Sequence, residues 1–454
     1  MKTLLFDLAL LPGGWAEQVA VAIDETGAIA EVKAGAAEGE HVAGCLLPGV
    51  PNLHSHAHQR AMAGLAERSG DSNDSFWTWR EAMYHYVERI QPHHLEAIAA
   101  QLYVEMLKAG YTSVAEFQYL HHDPDGRPYD NVAEMSLRTL AAARDVGIGI
   151  TNLPVLYRYG GFGAQDPAAG QRRFLNDADR FLVIVDTLLT ESGDDPNVAT
   201  GIAPHSLRAV SKDLLREVLD GFANQGDWPI HIHIAEQVKE VADCQAWCGQ
   251  RPVAWLYAHF KVDERWCLIH ATHMSASETW AVASSGAVAG LCPTTEANLG
   301  DGVFNAVPFL RAEGRLGVGS DSHISISPVE EIRWLEYGQR LKHLKRNVLA
   351  GGLRRSTGRH LFESVVAGGA QACRRNVGRI EAGYRADMIV LETDHPLLYN
   401  RRDDALLDSW IFSGNANLIR AVYVGGKAVV QDGRHAREEA IRTRFRQTLN
   451  ELAA

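Results

Sequence analysis

The sequence predicts an α/β protein whose fold is a (β/α)8 TIM barrel with a small composite β-sandwich built from both ends of the chain. In the middle of the chain, eight short apolar runs alternate with longer segments of helical period. Strand–helix alternation repeated eight times is typical of this barrel. Both ends of the chain consist instead of short apolar runs separated by turn residues, a pattern that predicts β-hairpins.

The two terminal segments are expected to share one domain. Residues 1–48 are rich in predicted hairpins, and residues 379–454 contain another one centred on Gly425 and Gly426. An isolated hairpin is only marginally stable and needs partner strands. The predicted division is therefore 1–48 with 379–454 as the composite β domain, and 49–378 as the barrel.

Eight strands and the helices between them follow from the hydrophobic pattern of the barrel region. The clearest helix spans 92–109, where apolar residues recur mostly at spacings of three and four. The predicted strands lie in the apolar runs 45–56, 112–118, 149–157, 197–206, 229–236, 266–272, 286–295 and 316–322.

A long connection, residues 61–90, follows the first predicted strand. It contains the turn-forming stretch 69–74 and an aromatic stretch at 76–79. Long loops at the carboxyl end of a barrel strand often carry function, so this segment is a candidate active-site lid. The alternative is an aromatic loop packed against the barrel.

Charge and composition narrow the class of protein. The chain has 44 Lys and Arg against 56 Asp and Glu, a net charge of −12, which opposes general affinity for nucleic acid or an anionic membrane. An anionic ligand would therefore need a local basic pocket. Six cysteines at irregular spacings are typical of free thiols in a reducing compartment. We expect a cytoplasmic protein, because the sequence has no apolar segment long enough for export or for a membrane span.

Titratable residues stand at the ends of four predicted strands. His54 and His56 lie at i and i+2, so on a strand both rings face one point. The fifth apolar run contains His233 and ends at Glu236. The sixth run carries His270 and the eighth carries Asp321, each near its end. Any one of these could be a buried, hydrogen-bonded side chain or a helix cap. Four of them at strand ends favour a shared site, where barrel enzymes keep their catalytic groups.

The residue types favour a catalytic metal. A closed structural zinc site usually contains several cysteines, whereas a hydrolytic site has nitrogen and oxygen ligands and an open position for water. His54, His56, His233 and Asp321 supply such a ligand set. Asp321 would also accept the proton of the water, while Glu236 and His270 remain to handle protons and polarise the substrate.

These motifs, together with Pro48–Gly49 entering the barrel and residues 383–387 leaving it, resemble the amidohydrolase superfamily over essentially the whole chain. The resemblance implies one divalent metal ion, zinc, because the fourth run has no lysine at 201–206 that could bridge two metals. Manganese or iron stays open, since nitrogen and oxygen ligands suit them as well.

Within that superfamily, residues 52–60, 75–80, 113–119, 204–208 and 295–302 resemble the formimidoylglutamate deiminases. That family has Phe where this chain has His58 and His where it has Gln118. The resemblance implies hydrolysis of N-formimidoyl-L-glutamate to N-formyl-L-glutamate and ammonia in histidine degradation, by a homodimer. The substrate, a small dicarboxylate amidine, would be bound by Gln59, Arg80, Tyr119, His205 and Arg208.

Two other functions remain open from the sequence. A purine or pterin deaminase of the same superfamily would share the metal site but would present an aromatic stacking platform without paired arginines. A barrel without catalysis could instead serve as an assembly module. Such a barrel would typically lack metal ligands, whereas the predicted ligands are all present here.

Overall fold

The strands and helices alternate as the hydrophobic pattern predicts. The computed structural model describes residues 1–67, 76–222, 226–351 and 355–453; the predicted turn at 69–74 lies outside them. The strands are β1 Lys2–Leu11, β2 Gly14–Ile23, β3 Ile29–Lys33, β4 Glu40–Pro48, β5 Val50–Ser55, β6 Tyr111–Gln118, β7 Gly149–Leu156, β8 Val198–Thr200, β9 Ala203–Pro204, β10 Ile230–Ile234, β11 Trp266–His270, β12 Val288–Leu291, β13 Arg315–Val318, β14 Met388–Leu391, β15 Ile419–Val424, β16 Lys427–Gln431 and β17 Arg434–His435.

Fourteen α-helices and two short 3₁₀ segments, Ala57–Met62 and Ala169–Phe174, complete the described part of the chain. The helices are α1 Phe76–Val87, α2 Pro92–Ala109, α3 Glu134–Val146, α4 Ala178–Ser192, α5 Lys212–Phe222, α6 Val238–Cys248, α7 Pro252–His259, α8 Ala276–Ser285, α9 Pro293–Leu299, α10 Ala306–Arg311, α11 Pro328–His343, α12 Thr357–Ala372, α13 Asp404–Phe412 and α14 Glu438–Ala453. Among these described helices, none is both long and apolar enough to cross a membrane.

Strands β5 to β13 form the barrel, and their side chains are almost entirely buried. Parallel pairing runs in the order β5-β6-β7-β8, with β9 beside β7, and in the order β10-β11-β12-β13. Parallel bridges between Ile202 and Ile230 and between Ser55 and Asp321 join these two arcs into a ring. The predicted fold class, a (β/α)8 barrel with a small composite β-sandwich from both chain ends, is confirmed in its barrel and in the sheet that the two ends share.

Helix α2 shows how local sequence sets the element bounds. Pro92 occupies the first turn, where its missing N–H costs nothing. The backbone N–H of Gln91 donates a hydrogen bond to Nδ1 of the His94 ring. The helix ends at Gly110, whose φ of 102° is available mainly to glycine. Its buried face packs against the outside of the barrel, and its bounds agree with the predicted helix at 92–109.

The terminal strands form one eight-stranded sheet in the order β17-β16-β15-β14-β4-β1-β2-β3. Strand β4 lies between β1 and β14, so backbone hydrogen bonds join the two ends of the chain. Successive side chains face opposite sides of a strand: Leu46 packs into a separate cluster with Phe6, whereas Leu47 joins the main core. Because of this pairing, we propose two domains: a β domain formed by residues 1–48 and 379–454, and the barrel formed by residues 49–378.

The C-terminal segment also contains helices, although its sequence pattern predicted only β structure. Helix α14 buries Ile441, Thr448 and Leu452, which recur at spacings of seven and four. It lies along α2, where the Glu451 carboxylate contacts His94 Nε2 at 2.9 Å. The terminal segment therefore covers a barrel helix as well as completing the sheet.

Candidate active site and metal centre

Four potential metal ligands meet at the carboxyl end of the barrel. His54 lies near the end of β5 and His56 directly follows that strand. The Nε2 atom of each lies 3.4 Å from Asp321 Oδ1. His233 on β10 places its Nε2 3.0 Å from His54 Nε2. One ligand atom from each of the four residues lies within 4.8 Å of the others, and all four residues are buried.

Backbone carbonyls select the nitrogen that each ring presents to this cluster. His56 Nδ1 donates to the Phe117 carbonyl oxygen at 2.9 Å, and His233 Nδ1 donates to the His205 carbonyl oxygen at 3.0 Å. A neutral imidazole has one N–H, so Nε2 of both rings carries a lone pair. Burial lowers the pKa of His56 and His233, with neighbouring histidine charges adding to the effect. Neutral rings grouped with one carboxylate fit a divalent cation.

The backbone is strained where the strands end. His270 and Asp321 have φ values of 66° and 47°, and Ala235, beside Glu236, has 52°. A left-handed conformation is unfavourable for a non-glycine residue and persists only where surrounding contacts hold it. Asp321 N donates to the His54 carbonyl oxygen at 3.0 Å, which is one such contact.

Carboxylates surround His270 on both sides of its ring. His270 Nε2 lies 3.7 Å from Glu236 and 3.7 Å from Asp321, while His270 Nδ1 lies 3.2 Å from Glu296 Oε1. Burial by itself lowers the pKa of His270, but the charge of Glu236 and the hydrogen bond with Glu296 raise it to about 10. Burial raises the pKa of Glu236 to about 7. This pair can therefore hold and exchange a proton near neutral pH.

Glu240 fixes the backbone beneath Glu236. Its two carboxylate oxygens accept hydrogen bonds from the backbone N–H groups of Ala235 at 3.2 Å and of Glu236 at 3.1 Å. Glu240 lies on α6 and has no exposed surface. The first helix after β10 thus holds the strand end in its left-handed conformation.

Glu116 on β6 holds the backbone beside His54 and His56, as Glu240 does beside Glu236. It accepts from Ser55 Oγ at 2.6 Å and from the Ala57 backbone N–H at 2.7 Å. These two residues flank His56, so the carboxylate anchors the chain on both sides of a candidate ligand. Burial raises the pKa of Glu116 to about 7, despite these hydrogen bonds.

A cavity opens beside the cluster and contains two arginines. The guanidinium carbons of Arg80 and Arg208 lie 4.6 and 5.7 Å from the centre of the Trp77 ring. Both arginines line the cavity, and the buried Nε atom of each has no hydrogen-bond partner among the described residues. His205 lines the same cavity, as do Gln59 and Tyr119, whose side chains are hydrogen-bonded at 2.9 Å. The cavity can therefore receive an anion next to a metal.

Comparisons with known proteins agree with this geometry. The amidohydrolase family model matches residues 45–429. The chain belongs to the amidohydrolase family. It is 53% identical, over the full length of both chains, to formimidoylglutamate deiminase of Pseudomonas aeruginosa. It is 27% identical to a 5-methylthioadenosine/S-adenosylhomocysteine deaminase of Archaeoglobus fulgidus, over 77% of this chain and 74% of the relative.

Solved structures of amidohydrolases share the fold. An amidohydrolase from Brucella melitensis has a TM-score of 0.94 and 47% identity, with both chains fully covered. An adenosine deaminase from Xanthomonas campestris, solved with bound zinc, has a TM-score of 0.82 and 22% identity over 99% of this chain and 98% of its own. By its family this protein is a hydrolase, and its cluster of His and Asp side chains has the composition of a metal site.

The structure brings all of the predicted site residues to one end of this amidohydrolase barrel; their individual roles remain predictions. Two positions at which the resemblance predicts other residues lie close by. His58 is buried, with Nε2 3.2 Å from the Tyr119 hydroxyl. Gln118 is bonded to the backbone of Leu120 and does not line the cavity.

Several groups in the amidohydrolase site were not predicted from the sequence. Glu296 and Glu240 support His270 and Glu236, and Tyr84 and Tyr157 line the cavity. A signal existed for Tyr157, which ends the third apolar run, and for Glu296, which follows the seventh strand. Nothing in the sequence distinguishes Tyr84 from the other aromatic residues of α1.

Proposed function

We propose that this amidohydrolase is a hydrolytic deiminase that converts N-formimidoyl-L-glutamate and water to N-formyl-L-glutamate and ammonia. The main support is the position of two arginines, Arg80 and Arg208, in the cavity beside the metal-ligand cluster. In a protein with a net charge of −12, two guanidinium groups in one cavity, each with a buried Nε atom that has no partner among the described residues, indicate an anionic substrate. The relative with 53% identity carries the name of this activity.

We assign one divalent cation, zinc, to His54, His56, His233 and Asp321. The zinc-bound adenosine deaminase of the same fold supports zinc over manganese or iron. When bound, such a cation polarises the substrate and makes water nucleophilic at neutral pH. The two backbone carbonyls described above orient His56 and His233 for this role.

The remaining residues would move the protons. Water adds to the amidine carbon, and cleavage of the bond to the terminal nitrogen releases ammonia. Both protons of the water end on the terminal nitrogen, which changes from =NH to NH₃: Asp321 accepts the first from the attacking water, and the second leaves the hydroxyl as the carbonyl forms. Glu236, with a pKa raised to about 7, delivers a proton to the departing nitrogen, while the charged His270 stabilises the developing negative charge.

The other end of the substrate would carry the selectivity. Arg80 and Arg208 bind carboxylate by paired N–H donors, and Gln59, Tyr119 and His205 add hydrogen bonds nearer the metal ligands. We also propose a homodimer that works in the cytoplasm, on the resemblance to this family of metabolic enzymes.

The decisive experiment is ammonia release by the purified protein, with metal analysis of the same sample. We expect turnover of N-formimidoyl-L-glutamate far above that of guanine, adenosine derivatives or cytosine. Arg208→Met should raise KM strongly and also lower kcat, because positioning is part of catalysis. Activity on a purine with none on the formimidoyl amino acid would reject this substrate.

A further inference from the structure

Two tyrosines in the cavity share one hydrogen-bond donor. Gln171 lies in the second 3₁₀ segment, and its Nε2 donates to the Tyr157 hydroxyl at 2.6 Å and to the Tyr84 hydroxyl at 3.2 Å. All three side chains are buried, and both tyrosines line the cavity that contains Arg80 and Arg208.

The orientation of the Gln171 amide is fixed by the backbone. Its Oε1 accepts from the Ala168 N–H at 2.8 Å, so the NH₂ group must face the tyrosines. Each phenol oxygen then receives a hydrogen, and each phenol keeps its own O–H to donate elsewhere. Even if one phenol donates to the other, at least one O–H hydrogen remains for a ligand.

The surroundings of these hydroxyls favour an anion. The Arg80 guanidinium lies 5.4 Å from the centre of the Tyr84 ring, and Arg208 lines the same cavity. Burial raises the pKa of Tyr157 well above its usual value, which keeps that hydroxyl protonated as a donor. A hydroxyl donor beside two guanidinium groups complements a carboxylate.

His205 connects Tyr157 to the metal-ligand cluster. The centre of the His205 ring lies 5.0 Å from the centre of the His233 ring, and the centre of the Tyr157 ring lies 4.6 Å from that of His205. In a glutamyl substrate the α-carboxylate is attached directly to the carbon that bears the amidine nitrogen. The side-chain carboxylate is separated from that carbon by two methylene groups, so it reaches farther from the metal.

We propose that Tyr84 and Tyr157 are specificity-determining residues that donate hydrogen bonds to the side-chain carboxylate of the substrate. Gln171 is the positioning residue that aims their hydroxyls. The inference rests on the proposed function and deepens it, because it adds two neutral donors to the arginines as determinants of which substrates the site accepts.

The test compares N-formimidoyl-L-glutamate with N-formimidoylglycine, which lacks the side-chain carboxylate. Tyr84→Phe combined with Tyr157→Phe should raise KM for the glutamate derivative at least about tenfold, because a hydrogen bond to a charged group is lost. The kcat value should change by less than about threefold, and kcat/KM for the glycine derivative should stay within the same limit. Tyr86→Phe is the matched control, since this residue of α1 donates outside the cavity, to the Ala61 carbonyl oxygen.

Gln171→Glu tests the positioning role with little change of shape. The new carboxylate can still accept from Ala168 N–H, but it accepts the phenolic hydrogens instead of donating to the phenols. We expect the same selective rise in KM as in the double tyrosine variant. Unchanged KM in both variants, or equal losses on both substrates, would overturn the inference.

Binding of glutarate by calorimetry separates this inference from the proposed reaction. If wild-type protein does not turn over N-formimidoyl-L-glutamate, the proposed function fails, but the carboxylate site can still be measured. Wild-type protein should bind glutarate at least about tenfold more tightly than the double tyrosine variant. Equal affinity, or no binding to wild-type protein, would reject the assignment of the tyrosines.

Discussion

At the scale of single residues, the site depends on which groups carry protons. Backbone carbonyls from Phe117 and His205 hold Nδ1–H of two histidines, so their Nε2 atoms are free to bind a cation. Glu236 faces the same centre, but burial raises its pKa to about 7. Residues of similar burial therefore have different proposed roles, metal binding for His233 and proton transfer for Glu236.

This distinction gives a prediction for a pair of variants. Glu236→Gln should retain the metal and lower kcat by about 10²–10⁴, the usual cost of losing a positioned acid or base. His233→Ala should lose metal as well as activity, because it removes a proposed ligand. Metal content and ammonia release, measured on the same samples, check both. Normal turnover by Glu236→Gln would remove this residue from the mechanism.

At the scale of elements, helices support the strand ends that carry the site. Glu240 on α6 accepts from two consecutive backbone N–H groups, at Ala235 and Glu236. Each donor uses a different oxygen of the carboxylate, so an amide in the same position would leave one of the two N–H groups without an acceptor. The helix thereby stabilises a left-handed residue, Ala235, and aims the Glu236 side chain at the cluster.

Glu240→Gln should therefore impair catalysis from outside the cavity. The amide can satisfy only one of the two N–H groups, so we expect the free energy of unfolding to fall by about 1–3 kcal/mol. We also expect kcat to fall by about 10–100-fold as Glu236 shifts, with metal content unchanged. Asp243→Asn is the matched control: its ion pair with Lys239 on the same helix is exposed, and should matter little. Equal behaviour of the two variants would contradict a supporting role for Glu240.

At the scale of the whole molecule, the barrel depends on close contact between its last helix and its last strand. Helix α12 packs on β13 through Gly368, where a Cβ atom would lie 1.9 Å from the Leu316 carbonyl oxygen. At the neighbouring Gly369, a Cβ atom would lie 3.0 Å from the Pro51 carbonyl oxygen. Two consecutive glycines thus let the helix backbone approach the strands that carry Asp321 and His54.

Replacing these glycines provides a test of this packing. Gly368→Ala should lower the free energy of unfolding by about 3 kcal/mol or more, because the added methyl overlaps backbone atoms that cannot move independently. Gly338→Ala, in the interior of α11, is the control; its nearest neighbour would be Val303 at 3.5 Å, an ordinary contact. That control should be neutral or stabilising by up to about 1 kcal/mol. Denaturant unfolding measures both, and equal stability of the two variants would contradict this account.

By itself, the sequence determined the barrel and the end of the barrel where the chemistry lies. Apolar runs and helical periods are local signals, and parallel strands place their carboxyl ends on one side. The polar residues that follow these strands therefore had to converge. The i, i+2 spacing of His54 and His56 was similarly sufficient, because side chains on a strand alternate between its faces.

Only the tertiary structure decided which atoms the site presents and what holds them. The free nitrogen of His56 depends on a carbonyl of Phe117, and the orientation of Tyr157 depends on Gln171 and Ala168. The first contact joins residues 61 positions apart and the second joins residues 14 positions apart, and no helical or strand period encodes either of them. The difference between Gly368 and Gly338 has the same origin: both lie inside helices, but of the two only Gly368 is so placed that a Cβ atom would overlap the backbone of a strand.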